Sequence, residues 1–438
     1  MRLNFINFIV SIFLLSFLFS DDYSQMHSTI IFSLLFIFSI LFLIKSNNEI
    51  RTVLLIAFNL RLLAAITSYY GIFYLEGAGK GGDAFYFMQE ADNLLNIGFS
   101  ELISNFSDYS SNFYSIIIAI LFLIFGKADA IPISLNIVLG VLIVYRVYQT
   151  TKLLYDIQTA RIASIVTATI PWLIILCATI LREAIITYFI ITSVYFFIKY
   201  KKQLITSDAL YCVINIFFAV LFHGGLIFIA FFLVFLLIYD SLIFKGGTTT
   251  FKNILNSLAS FILIIILGSV FISSIYLGNI SIYKLRGLEN RSALEMTEYL
   301  QNRSGYAKES SKKRYRDRLY LNSPSDYILS IPEVTIPYFF KPYLWDLLKW
   351  RYPLHYFHSI LMIYLFFLLI QNFRFIVKNK ILLTLFLLFL MNSVIFSYGT
   401  AQINASIRHN YKVLPIIICV LAPMIKKNII FRKKYYFR

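Results

Sequence analysis

The chain has 438 residues, of which 59% are hydrophobic and 14% charged, with a formal net charge of +17. A soluble domain carries about a quarter charged residues, so this composition leaves too little polar surface for a water-soluble globule. The positive charge sits in short loops between apolar runs and in the tail Lys426, Lys427, Arg432, Lys433, Lys434 and Arg438. That distribution orients a membrane protein and argues against nucleic-acid binding.

The apolar runs predict helical spans at 4–20, 28–44, 52–72, 112–126, 130–148, 162–180, 183–198, 206–221, 224–239, 254–278, 354–371, 380–397 and 411–425. They are too long and too uniformly apolar for barrel strands, which alternate with a period of two. The first run resembles a signal peptide, but Phe19-Ser20-Asp21-Asp22 lacks the small-residue cleavage site, so 4–20 is expected to be an uncleaved span. Cys177, Cys212 and Cys419 all fall inside apolar runs, as small buried hydrophobes do. No repeat or linker divides the chain, and residues 1–438 are expected to form one integral membrane domain.

The basic loops set the orientation. The segments around 45–51, 152–161, 199–202, 245–252, 374–380 and the tail face the cytoplasm. The loops 73–111 and 279–353, the turns at Arg182-Glu183 and His223-Gly224-Gly225, and the segment 398–410 face outside. The loop 279–353 is basic, but loops beyond about 60 residues cross largely regardless of charge. Outer loop 73–111 and inner Lys152 require an odd number of crossings, yet two apolar runs lie between them. The short run 112–126 is therefore expected to lie re-entrant or along the interface, giving 11 to 13 spans in an all-α bundle.

This topology gathers ionisable residues on the outer face. Asp83, Glu90 and Asp92 lie on the first loop, Arg182 and Glu183 at a tight turn, and His223 at another. Arg286, Arg291, Arg303 and the run Lys312–Arg318 lie on the long loop, and Arg408-His409 at the last turn. An ionisable residue in a membrane is costly, and guanidinium binds phosphate through two hydrogen bonds. Arg182 therefore suggests an anionic partner. Arg408-His409 precedes the span 411–425, where a cation opposes the helix dipole, so a ligand explains it better than a cap does. Arg61 lies inside span 52–72, either paired with a buried carboxylate or functional. Segment 327–352 carries Pro332, Pro337, Pro342, Trp345 and Trp350, and is expected to lie on the outer surface and floor a groove.

Arg182-Glu183-Ala184, then Lys199–Lys202, then Phe222-His223-Gly224-Gly225-Leu226-Ile227 resembles the membrane polymerases of bacterial O-antigen and exopolysaccharide clusters. Tyr338-Phe339-Phe340-Lys341-Pro342-Tyr343-Leu344-Trp345 is similar to their aromatic Pro-x-x-Trp segment, and Gly399–Pro415 to their final Gly…Arg-His…Pro turn. Gly82-Asp83-Ala84 and Asn112-Phe113-Tyr114 are similar to the first outer loop of glycosyltransferases of the GT-C architecture. The chain lacks the paired acids that many of those enzymes carry there.

The resemblance implies a GT-C-like bundle in the bacterial inner membrane. It would join undecaprenyl-diphosphate-linked oligosaccharides into O-antigen or capsular polysaccharide on the periplasmic side. A chain-length regulator would be a further protein partner. No cofactor is implied, and direct displacement does not strictly need a metal. Arg182, Arg408, Arg286, Arg291 and His409 would hold the diphosphate, and Asp83, Glu183 or His223 would take the acceptor proton. Addition of a single sugar from a polyprenyl-phosphate donor and flipping of the lipid-linked unit are the competing expectations.

Overall fold

The computed structural model describes residues 48–69, 82–97, 113–242, 324–343, 345–346, 353–400 and 402–436, with single residues 37, 41 and 45. The expected spans 4–20 and 254–278, and most of 28–44, lie outside that set. The described residues are helical, with no strand among them. Among the described residues five helices are long and apolar enough to cross a membrane: Arg51–Ser68, Ala130–Leu154, Glu183–Gln203, Leu354–Gln371 and Lys380–Tyr398. The chain is a multi-pass helical membrane protein.

In chain order the helices are α1 (Arg51–Tyr69), α2 (Asp83–Ile97), α3 (Phe113–Phe125), α4 (Ala130–Leu154), α5 (Ile157–Thr169) and α6 (Pro171–Leu176). Then come α7 (Glu183–Gln203), α8 (Thr206–Phe222), a 3-10 turn at Gly224–Leu226 and α9 (Ile227–Leu242). The last group is α10 (Pro324–Leu329), α11 (Ile331–Phe340), α12 (Pro353–Gln371), α13 (Phe373–Lys378), α14 (Lys380–Tyr398) and α15 (Ile403–Tyr436).

Side-chain ties define two poles. At one, Lys152 on α4 pairs with Glu49 at 2.8 Å, Arg161 donates to the Glu49 carbonyl, and Lys426 on α15 reaches Asp156 at 3.0 Å. Asp156 also caps α5 by accepting from the Thr159 hydroxyl and amide, and these bonds, then Lys426, hold its carboxyl below the usual range. At the other pole, the Asn136 amide near the start of α4 bonds the Thr179 and Leu181 carbonyls just before α7. α4 therefore runs from pole to pole, and so do α7, whose Lys202 donates to the Leu153 carbonyl, and α15, whose Arg408 donates to Glu183.

Four expectations change. Span 162–180 is not one helix: Pro171 has no amide hydrogen to donate, its predecessor Ile170 is extended (ψ 117), and the helix restarts as α6. Arg408 and His409 are not in a turn, because α15 begins at Ile403 and carries them in its second turn. The connection to α7 is the whole segment 177–182 rather than a two-residue turn, and Glu183 is the first residue of the helix. Segment 327–352 does not simply lie on the surface. α11 runs through Pro337, buries Val334, Tyr338 and Phe339, and wedges Phe339 between Phe366 of α12 and Phe389 of α14.

α3 has 13 residues, about 20 Å of helix against about 30 Å of hydrocarbon. Phe87 of α2 meets Tyr114 at its start, and Asp92 of α2 pairs with Lys127 just past its end at 2.7 Å. Both ends of α3 thus return to α2, and α4 supplies the pole-to-pole crossing before Lys152.

Candidate functional site

The second pole holds a cluster of charges drawn from three helix starts. Asp83 opens α2 after Gly82, whose φ of 66° is a left-handed conformation that glycine adopts without strain. Glu183 opens α7. Both carboxylates therefore occupy the helix end that favours an anion. Arg408, near the start of α15, joins them. Its Nη1 donates to Asp83 Oδ2 at 2.6 Å, while Nε and Nη2 donate to Glu183 Oε1 at 3.0 and 2.7 Å.

The two carboxylates differ in access. The Glu183 side chain is 3% exposed and that of Asp83 51%. Glu183 is thus a fixed part of the bundle, whereas Asp83 is open to solvent. Glu183 Oε2 is buried with no hydrogen-bond partner.

Arg182 immediately precedes α7 and lies with its guanidinium 5.6 Å from the Phe87 ring centroid, a cation–π distance. Its Nε is buried without an acceptor. Burial depresses its proton affinity; Glu183 opposes that and Arg408 adds to it. Asn136 holds the backbone leading to this pair, and its amide also meets the Tyr114 hydroxyl at 2.9 Å.

Lys412 extends the cluster inward. Its fully buried ammonium lies 3.9 Å from Glu183 Oε1 and donates to His409 Nδ1 at 3.0 Å. An ammonium can only donate, so Nδ1 accepts and the His409 ring proton sits on Nε2. The His409 ring stacks on Phe396 at 4.3 Å and meets His223 edge-on at 5.2 Å. His223 also touches Phe396 at 5.1 Å. The turn after His223 comes close to α14, since a Cβ on Gly225 would lie 3.0 Å from the Phe396 ring.

Asp83, Arg182, Glu183, His223, Arg408 and His409 therefore share one pole. Arg286, Arg291, Arg303 and the run Lys312–Arg318 lie outside the described residues. Lys412 opens an apolar run, where hydropathy hides a single cation. Its spacing of four from Arg408, which puts both on one helix face, was the available signal. Arg61 pairs with no carboxylate among the described residues; its Nη1 donates to the Ala57 carbonyl of its own helix at 2.9 Å. Among the described residues no group of three or more His, Cys, Asp or Glu side chains gathers as a metal set.

Three cations against two carboxylates leave the cluster net positive, with one carboxylate exchangeable. Such a site attracts an anion that can replace Asp83 on Arg408 and reach Arg182. Compared with known proteins, the chain matches no family model and no curated sequence.

Proposed function

We propose that the protein is a GT-C-like polysaccharide polymerase. On this reading it transfers glycan units from undecaprenyl diphosphate at the periplasmic face of a bacterial inner membrane. The observation that carries the proposal is the Arg408 guanidinium, shared between a buried acid and an exposed one at the end of a membrane bundle.

In the proposed reaction an acceptor hydroxyl attacks the anomeric carbon of the donor sugar. The bond from that carbon to the diphosphate oxygen breaks, and the lipid diphosphate leaves with the electron pair. Charge builds on the leaving oxygens, where Arg408, Arg182 and Lys412 offer preorganised donors. Diphosphate taking over Nη1 of Arg408 frees Asp83, a half-exposed carboxylate suited to accept the acceptor's proton. Glu183 orients Arg408 rather than serving as the base, because its carboxylate is buried away from an incoming acceptor and holds Arg408 through two bonds to one oxygen.

The test is carried out in producing cells with Arg182→Ala and Arg408→Lys, with protein levels measured. Lysine keeps the charge but not the forked geometry. The expected result is a fall in long-chain polysaccharide of about 10²–10³-fold. Normal chains at normal protein levels in both variants would overturn the proposal. A wild-type product carrying one added sugar rather than a ladder would replace polymerisation with single-sugar transfer.

A further inference from the structure

A second polar cluster adjoins the ion cluster and uses no carboxylate, lysine or arginine. It lies where α6, α11, α12 and α15 meet. Trp172 of α6 stands edge-on to His355 at 5.2 Å and tilted to Tyr411 at 6.5 Å. The His358 ring, one turn beyond His355 on α12, lies 5.4 Å from that of Tyr411. The indole Nε1–H donates to the Leu354 carbonyl at 2.8 Å, and His355 Nε2 bonds Asn404 Oδ1, so the walls are held in place. Asn410 Nδ2 donates to the Tyr338 carbonyl at 3.0 Å.

What these walls enclose is under-satisfied. Tyr411 Oη and Asn410 Oδ1 are buried without a hydrogen-bond partner, and the His358 ring beside them has the Phe339 backbone as its polar contact, which serves one of its two nitrogens. All three residues are fully buried. Leaving several such groups unmade in a membrane bundle is costly, so they call for a partner that is neutral, hydroxyl-rich and able to lie against aromatic faces. A sugar ring has that chemistry: its hydroxyls both donate and accept, and its C–H faces pack on aromatic rings. The side chains of Trp172, His358, Asn410 and Tyr411 are uncharged, which suits a neutral ligand better than an ion.

Position supports the same ligand. Tyr411 is three residues beyond Arg408 on α15, about 4.5 Å along the helix axis. A neutral seat one turn from an anion seat matches a molecule whose phosphate is bonded directly to a sugar.

We propose that Trp172, His358, Asn410 and Tyr411 form a carbohydrate subsite for the ring attached to the lipid diphosphate. This deepens the polymerase reading and rests on it. Because the groups are enclosed, entry of a ring requires the junction of α6, α12 and α15 to part.

The test uses the full chain in nanodiscs and measures binding of undecaprenyl diphosphate, bare or carrying one hexose or N-acetylhexosamine. Wild type should bind at least one glycosylated lipid more tightly than the bare one. Tyr411→Phe removes only a hydroxyl; it should weaken that lipid about fivefold or more and leave the bare lipid unchanged. His358→Gln should act the same way. Arg408→Lys should weaken both lipids alike. If no sugar improves wild-type binding, or if Tyr411→Phe changes neither lipid, the polar atoms serve the fold or hold water and the subsite is overturned. If Arg408→Lys leaves bare-lipid binding intact, the polymerase reading fails separately.

Discussion

Arg408 closes on Glu183 across 225 residues of sequence, with Nε and Nη2 converging on the single oxygen Oε1. Neither charge is well solvated: the side chains are 18% and 3% exposed. Removing one partner of such a pair strands the other, which costs more than the intact pair is worth. Glu183→Ala is expected to lower stability by about 3–5 kcal/mol, read as a fall in the detergent unfolding midpoint. Glu183→Leu combined with Arg408→Met should recover at least half of that. A single variant as stable as the parent would show that the pair is not buried in solution.

Asp83 shares the same guanidinium but stands half in solvent. An exposed pair is worth at most about 1 kcal/mol, so Asp83→Asn should leave the unfolding midpoint nearly unchanged. Two opposite effects should follow at the site. Inorganic diphosphate should bind more tightly, because Nη1 is no longer held by a carboxylate. Polysaccharide formation should fall by about 10²–10⁴-fold, because the proton acceptor is gone. Tighter diphosphate binding with undiminished product would remove Asp83 from the chemistry.

Lys412 contributes a third cation without being needed to hold Glu183 in place. Methionine has a similar length and buries no charge. Lys412→Met should therefore keep the fold within about 1 kcal/mol and weaken diphosphate binding by at least about tenfold, equivalent to about 1.4 kcal/mol. Calorimetric titration of both proteins with inorganic diphosphate decides it. Equal affinities would confine Lys412 to its bond with His409.

Charge counting along the sequence was enough to group Asp83, Arg182, Glu183, His223, Arg408 and His409, because loop charge constrains which helix ends face the same way. It could not say that Arg408 would hold both acids, since that contact depends on how α2, α7 and α15 pack. Hydropathy misread two elements for identifiable reasons. The stretch 403–410 is polar enough to pass for a loop, yet it forms the first two turns of α15. The run 162–180 is apolar enough to pass for one span, yet Pro171 divides it. Subsite residues such as His358 and Tyr411 sit in or beside apolar runs, where a single polar side chain carries no signal without its neighbours.

Arg61 and Gly140 give a prediction independent of the proposed chemistry. Arg61 is fully buried midway along α1, where its Nε and Nη2 have no oxygen or nitrogen acceptor and the Cys177 sulfur is the polar group beside the guanidinium. It fits only because α4 presents a glycine: a Cβ at Gly140 would lie 2.4 Å from Arg61 Nε and 2.7 Å from Cys177 Cβ. Small residues at membrane-helix contacts permit this kind of close approach. Gly140→Ala is expected to destabilise the bundle by about 1–3 kcal/mol through overpacking. Arg61→Met removes a buried charge whose donors are at best weakly satisfied by a thiol, and should cost little or even stabilise. In the double variant the more flexible methionine relieves the contact with Arg61, but the one with Cys177 remains, so the loss should be reduced and not abolished. Unfolding midpoints of the four proteins measure the coupling directly. A Gly140→Ala protein as stable as the parent would mean that α1 and α4 do not approach this closely.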